Sequence, residues 1–334
     1  MYIHRAAEAA IRRVSKMFGA VLLTGPRQVG KTTMLKELAE PERRYVTLDD
    51  LNVRTLAQTD PPLFLARYTP PVLIDEIQYA PELLPYIKMD VDACEEKGRY
   101  WLTGSQAFHS MRNVSESLAG RFGIINLLGL SHREIAGRDS QPFSTNPTWI
   151  VERMRTAPQA DLKGIYERIF IGGMPALSAQ PQMDRELFFS SYLSTYIERD
   201  IRDLTQVADE GAFLRFMVVV AAHTARPLVM QELAQEAEIS VTTAKRWLSV
   251  LTASHIVALV QPFHNNVLTR TVKMPLLHFL DTGLCAYLTG WTSSEVLERG
   301  AMSGQVFESW VFSELYKSYL NAGRRPLFFY YRDK

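Results

Sequence analysis

Residues Gly25-Pro26-Arg27-Gln28-Val29-Gly30-Lys31-Thr32-Thr33 place two glycines, a lysine and a hydroxyl at the spacing G-x-x-x-x-G-K-[ST]. In such a loop successive backbone N–H groups and a helix N-terminus face phosphate oxygens, and the glycines let the chain come close. Lys31 is then the cation for the terminal phosphates, and the Thr32 hydroxyl a ligand for Mg²⁺. A second stretch, Pro71-Val72-Leu73-Ile74-Asp75-Glu76, is an apolar run that ends in two adjacent carboxylates. It suits a buried parallel strand that delivers acids to the end of a sheet where ligands bind. Asp75 would position Mg²⁺ through its water shell, and Glu76 would polarise the attacking water. Without the upstream glycine loop, the same acids would read as a strand running into a solvated turn. Together the two stretches read as Walker A and Walker B motifs.

These residues need a parallel sheet to bring them together. The loop lies between an apolar strand, Ala20 to Thr24, and a helix, Thr32 to Ala39. Further strands are expected at Tyr45 to Leu48, Val72 to Asp75, Tyr100 to Thr103 and Ile124 to Leu128, with helical patterns between them. Five strands alternating with helices imply an α/β fold with right-handed crossovers.

The chain has 334 residues, of which 47% are hydrophobic, enough for two or three domains with real cores. Lys and Arg number 37 against 36 acids, so net charge gives no steering toward nucleic acid or an anionic membrane, and any basic surface must be local. Cys94 and Cys285 are far apart and lack metal-ligand spacing, and the N-terminus does not resemble a signal peptide. A reducing cytoplasm is expected. The longest apolar runs, Phe216 to Ala222 included, are far too short for a bilayer span, so no membrane partner is expected.

Downstream, Ser131 to about Gln206 has helical periodicity broken by Pro142, Pro147 and Pro158, and reads as a helical lid or connector. Phe213 to about Phe263 reads as a winged helix. Helices are expected at Phe213 to His223, Met230 to Glu238 and Val241 to Ala253, the last capped by Ser240. Ile256 to Phe263 and Leu268 to Lys273 would form the wing hairpin. On the third helix Val241, Ala244, Leu248 and Leu251 make an apolar stripe, which leaves Thr242, Thr243, Lys245, Arg246 and Ser249 toward solvent. Thr242, Thr243, Lys245 and Arg246 have the chemistry to meet DNA phosphates and base edges, although winged helices also serve as packing modules.

The chain resembles the bacterial and archaeal AAA+ ATPases in which an AAA domain precedes a C-terminal domain of unknown function. The resemblance is carried by Leu22 to Thr33, Leu73 to Gln78, Leu102 to Ser105 and Ser117 to Arg121. It continues through Gly172 to Pro175, Tyr196 to Ile201, Phe279 to Leu284 and Gly304 to Glu308, covering essentially the whole chain. It implies an AAA+ sheet domain (1–130), a helical lid or connector (131–210), a winged helix (211–290) and an incomplete C-terminal domain (291–334). ATP or ADP and Mg²⁺ are the implied cofactors, with self-association into a hexameric ring and DNA as a partner.

The resemblance also implies that Ser105, just past the fourth strand, is the polar sensor of the γ-phosphate, with Thr103 and Gln106 as alternatives. Arg121, before the fifth strand, stands where AAA+ rings project an arginine into the neighbouring subunit; a surface ion pair is the other reading, and Arg112 a rival. Arg199, between Glu198 and Asp200, suits a lid sensor or a structural ion pair. In relatives the last region resembles restriction-endonuclease-like domains, with an acid on the first helix joining others on later strands. Here the chain stops at Arg332-Asp333-Lys334, so Glu308 is expected to be structural rather than a metal ligand. The functional expectation is ATP hydrolysis coupled to DNA binding or remodelling. A nucleotide-gated regulatory switch with little turnover is the alternative.

Overall fold

The computed structural model describes residues 2–104, 120–138, 140–157, 160–196, 209–263 and 274–331. They form two compact units, one of residues 4–128 with 320–324, the other of 129–319 with the two chain ends.

The first unit is a parallel sheet with strands β1 (Ala20–Thr24), β2 (Arg44–Thr47), β3 (Val72–Asp75), β4 (Tyr100–Gly104) and β5 (Phe122–Asn126), in the order β2-β3-β4-β1-β5. All five residues of β1 are buried, as expected for a strand with neighbours on both edges and helices on both faces. The edge strand β2 buries only one residue fully. Around the sheet stand α1 (Ala7–Ser15), α2 (Lys31–Leu38), α3 (Leu51–Thr59), α4 (Pro61–Arg67) and α5 (Leu83–Ala93). At Pro61-Pro62 one helix ends and the next begins. Asp60 ends α3 and accepts from Leu63 N to cap α4, with Pro61 in the first turn where its missing N–H costs nothing.

In the second unit the helices are α6 (His132–Ile135), α7 (Pro147–Thr156), α8 (Leu162–Ile171), α9 (Pro175–Ala179) and α10 (Arg185–Tyr196). Then follow α11 (Glu210–Ala222), β6 (Arg226–Pro227), α12 (Met230–Glu236), α13 (Val241–Ala253), β7 (Val257–Pro262) and β8 (Leu276–Phe279). The chain continues through α14 (Thr282–Leu288), α15 (Ser294–Arg299), α16 (Ser303–Leu320) and β9 (Phe329–Tyr330). The small sheet has the order β6-β8-β7-β9, with β7 and β8 antiparallel and β9 parallel to β7. The hairpin strand expected at Leu268 to Lys273 lies outside the described residues. The described antiparallel partner of β7 is Leu276–Phe279.

One hydrophobic core runs from Tyr166 and Ile169 through Phe213, Trp247 and Phe279 to Leu297 and Val306. Segments expected to be a connector, a winged helix and a C-terminal piece therefore bury their apolar faces together. On α13 the buried stripe is Ala244, Trp247, Leu248 and Leu251; Val241, expected in it, is only partly covered. Trp247 belongs to the stripe because its ring meets Phe213 and Phe216, at centroid distances of 5.2 and 5.6 Å.

The segment Gly172-Gly173-Met174-Pro175 has a packing role in the fold. Asp281 caps α14 by accepting from Leu284 N (2.9 Å), and its second oxygen accepts from Gly173 N (2.9 Å). Arg185 adds bonds to the carbonyls of Phe170 and Gly283, both 2.8 Å. The backbones at 172 and 283 then lie so close that a Cβ on Gly172, at φ 81°, would sit 2.5 Å from Asp281 Oδ1 and 2.8 Å from Gly283 N. Gly172→Ala is expected to destabilise the protein by about 2–4 kcal/mol, from the left-handed backbone and the clash together. Gly304→Ala, in a helix with open space around it, should be neutral or stabilising by up to about 1 kcal/mol. Thermal denaturation of the two variants checks the contrast, and equal melting temperatures would contradict the clamp.

Candidate nucleotide site

The loop and the acidic strand end meet at the C-terminal edge of the parallel sheet. β1 runs directly into the loop, whose first residue, Gly25, has φ 150°. A Cβ there would lie 1.9 Å from the Leu127 carbonyl oxygen, so only glycine lets the loop leave the strand at this point. Gly30, with φ 87°, is the N-cap of α2, and Lys31 opens the helix. The Lys31 side chain is buried and folds back over the loop, where Nζ donates to the carbonyls of Gly25 (3.0 Å) and Pro26 (2.8 Å). Pro26, Arg27, Gln28 and Val29 make the turn, and Gln28 takes a left-handed conformation at φ 59°. Thr33, on the first turn of α2, is exposed.

Asp75 is only 6% exposed. Three hydroxyls from three elements converge on it. Thr32 Oγ1 of α2 donates to Oδ1 at 2.6 Å, Thr103 of β4 donates to the same oxygen, and Tyr45 of β2 donates to Oδ2 at 3.2 Å. Burial, and then the charge of Asp75, push the Tyr45 phenol up to about 12, so it remains a donor at neutral pH. The Tyr45 ring is half exposed and carries the Lys36 ammonium 3.5 Å from its centroid. Glu76 follows in a left-handed conformation (φ 59°, ψ 48°). Its N–H donates to Thr103 Oγ1 at 3.0 Å, and its carboxylate accepts from the Gln78 side-chain amide.

The fold thus brings together Lys31, Thr32, Asp75 and Glu76, and adds three residues that the sequence did not assign to these contacts. From the sequence Thr103 stands out only as an alternative sensor. Tyr45 gave no signal beyond its place at the start of a strand that ends beside Asp75. Gln78 stands two residues past Glu76, within reach on a tight turn. A fourth, Arg5, precedes α1 and carries no sequence signal of a role here. It is buried, and its guanidinium donates to the carbonyls of Val29 in the loop (2.9 Å) and Leu128 beyond β5 (2.7 Å).

Ser105, Gln106, Arg112 and Arg199 lie outside the described residues. Arg121 stands at the other end of the sheet, because it precedes Phe122, which pairs with Ala20 at the start of β1, whereas the loop follows Thr24. Five strand residues at about 3.3 Å each separate it from the loop of its own chain. Its Nε donates to Asp92 Oδ1 at 2.7 Å, an exposed ion pair. In the second unit Thr242, Lys245 and Arg246 are exposed on α13, and Lys245 and Arg246 have no ion-pair partner among the described residues. Thr243 is partly withdrawn into the helix cap. Its N–H donates to Ser240 Oγ (3.1 Å), and the two hydroxyls lie 2.9 Å apart. Glu308 is exposed on α16, and among the described residues no group of three or more His, Cys, Asp or Glu is placed to hold a metal.

Thr103→Val keeps the side-chain shape while leaving Glu76 N–H without its acceptor and Asp75 without one donor, so a loss of about 1–3 kcal/mol is expected. Tyr45→Phe removes a donor at a half-exposed edge where water can replace it, and less than about 1 kcal/mol should be lost. Urea denaturation without nucleotide gives both values. Equal costs would mean that Thr103 is not the main support of the two acids.

Comparison with known proteins agrees with this geometry. Residues 18–136 match the model of an AAA domain, and residues 162–295 that of a domain of unknown function (DUF8612). Two curated relatives, the uncharacterized proteins Mb2031c of Mycobacterium bovis and Rv2008c of Mycobacterium tuberculosis, are each 29% identical over 313 residues, 93% of this chain. The chain spans about 65% of the length of these relatives. Among solved structures, a Walker-type ATPase of Pyrococcus abyssi aligns with a TM-score of 0.51 at 14% identity, over 86% of this chain and 96% of that one, which is a likeness of fold. Residues 18–136 are thus similar to an AAA domain, and the likeness to the Pyrococcus abyssi protein is one of fold.

Proposed function

We propose that this chain is a Mg²⁺-dependent ATP hydrolase that couples nucleotide turnover to binding or remodelling DNA, as a ring of identical subunits. The observation that carries the reading is the convergence of Thr32 and Thr103 on Asp75, with Glu76 beside them at the strand ends from which the phosphate loop starts. The donor set fits the implied groups. Thr32 and Asp75 offer hard oxygens of the kind Mg²⁺ prefers, Thr32 directly and Asp75 through water. A bound Mg²⁺ neutralises charge on the β- and γ-phosphates. Lys31 now donates to two neutral carbonyls, and exchanging them for phosphate oxygens gives it charge-assisted bonds instead. Glu76 orients the water that attacks the γ-phosphate.

Arg121 lies too far from its own loop to serve it, so its part in this reading is played in a neighbouring subunit's site. Its bond to Asp92 is solvent-exposed and therefore cheap to give up. DNA contact is assigned to the second unit. The order helix, short strand, helix, helix and antiparallel strand pair from Glu210 to Phe279 supports a winged helix, with Lys245 and Arg246 on the exposed side of its third helix. Thr242 is a further phosphate or base-edge contact. Thr243, tied to Ser240, contributes less.

Lys31→Ala is expected to abolish tight ATP binding, and Glu76→Gln to keep ATP but stop hydrolysis. Unchanged affinity in the first variant would sink the phosphate-loop reading. Arg121→Ala should leave binding intact and cut turnover by orders of magnitude, and mixing it with Glu76→Gln protein should restore some activity. No recovery in mixed oligomers would leave Arg121 as a surface ion pair. Lys245→Ala with Arg246→Ala should weaken DNA binding and reduce its salt slope by about two, with basal hydrolysis unchanged. The same affinity and slope in variant and parent would make α13 a packing element.

A further inference from the structure

Glu76 can orient water only if its carboxylate is held still, and its backbone alone does not do this. The left-handed corner is fixed by Glu76 N donating to Thr103 Oγ1 and by Tyr79 N donating to the Glu76 carbonyl, both 3.0 Å. Beyond that corner the side chain has three further torsions and is only partly covered. A carboxylate left free there would spread over several rotamers. The contact that singles one out is the side-chain amide of Gln78, which donates to Glu76 Oε2. Gln78 is well placed to do so. It lies in the 3-10 turn Ile77–Tyr79, and its own carbonyl oxygen rests against the end of β4, where a Cβ on Gly104 would come within 3.3 Å. A carboxylate accepts only, so the NH₂ side of the amide must face Glu76.

We propose that Gln78 is a positioning residue for Glu76: it pins Oε2 and leaves Oε1 to accept from the attacking water. This rests on the reading of Glu76 as the water-orienting carboxylate. Gln78 has no part in nucleotide affinity on this account. Its removal lowers the fraction of sites in which the carboxylate points correctly, and hence the chemical step alone.

The test uses the full chain with Gln78→Met, of similar length but without a donor, and Gln78→Glu, of the same shape but accepting only. Nucleotide Kd by titration calorimetry and single-turnover hydrolysis of ATP with Mg²⁺ are measured for each, with melting temperature as the check on folding. The expected result is Kd within about 2-fold of the parent, a rate about 10-fold lower for Gln78→Met, and a rate lower still for Gln78→Glu. An unchanged rate in Gln78→Met while Glu76→Gln is inactive would overturn the proposal and leave the role of Glu76 standing. Parallel losses of affinity and melting temperature would overturn it in favour of a structural role. If Glu76→Gln hydrolyses as fast as the parent, the role assigned to Glu76 falls, and the proposal with it.

Discussion

The site depends on keeping one buried carboxylate satisfied. Asp75 ends a strand whose four residues are all buried, where an unpartnered charge would cost several kcal/mol. Its supports come from the loop helix α2, from β2 and from β4, so the bonds that solvate it also fix the positions of three elements around it. Thr103 makes the arrangement economical. One hydroxyl donates to Asp75 and accepts from the N–H of Glu76, so the two acids cannot shift independently. The parallel order β2-β3-β4-β1-β5 is what makes this convergence possible, because it puts the C-terminal ends of β1, β3 and β4 side by side.

Much of this was legible from sequence because the signals are local. A fully buried parallel strand is a run of apolar residues, and Ala20 to Thr24 and Val72 to Asp75 are such runs, ending where the structure ends them. Ser240 announced a helix start by residue type, and its side chain does cap. The loop glycines likewise follow from backbone geometry that other residues cannot adopt at low cost. The supports of the site were not legible, for an equally physical reason. Tyr45 and Thr103 act across strands, and neither pattern nor spacing records which strand neighbours which. Arg5 was hidden by its composition: among several arginines on one amphipathic stretch, nothing marks the one that bonds to Val29 and Leu128 instead of facing solvent.

The second unit shows the same limit on a larger scale. Proline breaks and helical periodicity divide residues 131–334 into plausible modules, yet Tyr166, Phe213, Trp247 and Val306 share one core. Apolar periodicity reports that a face is buried; it does not report against what. The clamp between Gly173 and Asp281 joins residues 108 positions apart. Its sequence trace is a pair of glycines and an aspartate before a helix, each of which has a commoner local explanation. Trp247 was missed for a related reason: a large ring with a polar nitrogen suits an exposed position as readily as a buried one, and only Phe213 and Phe216 decide for burial.

Strand polarity then divides the labour within the first unit. The loop with Lys31 and the two acids lie at the C-terminal ends of the strands, where α2 begins and its free N–H groups favour anions. Arg121 stands at the opposite ends, beside Asp92 and in solvent. A parallel sheet cannot bring those two edges together, because every crossover returns the next strand in the same direction. A cation at the N-terminal edge can therefore act on a phosphate only if that phosphate belongs to another molecule. The same geometry keeps Arg121 away from the loop and the acids of its own chain and leaves it paired with Asp92 in solvent.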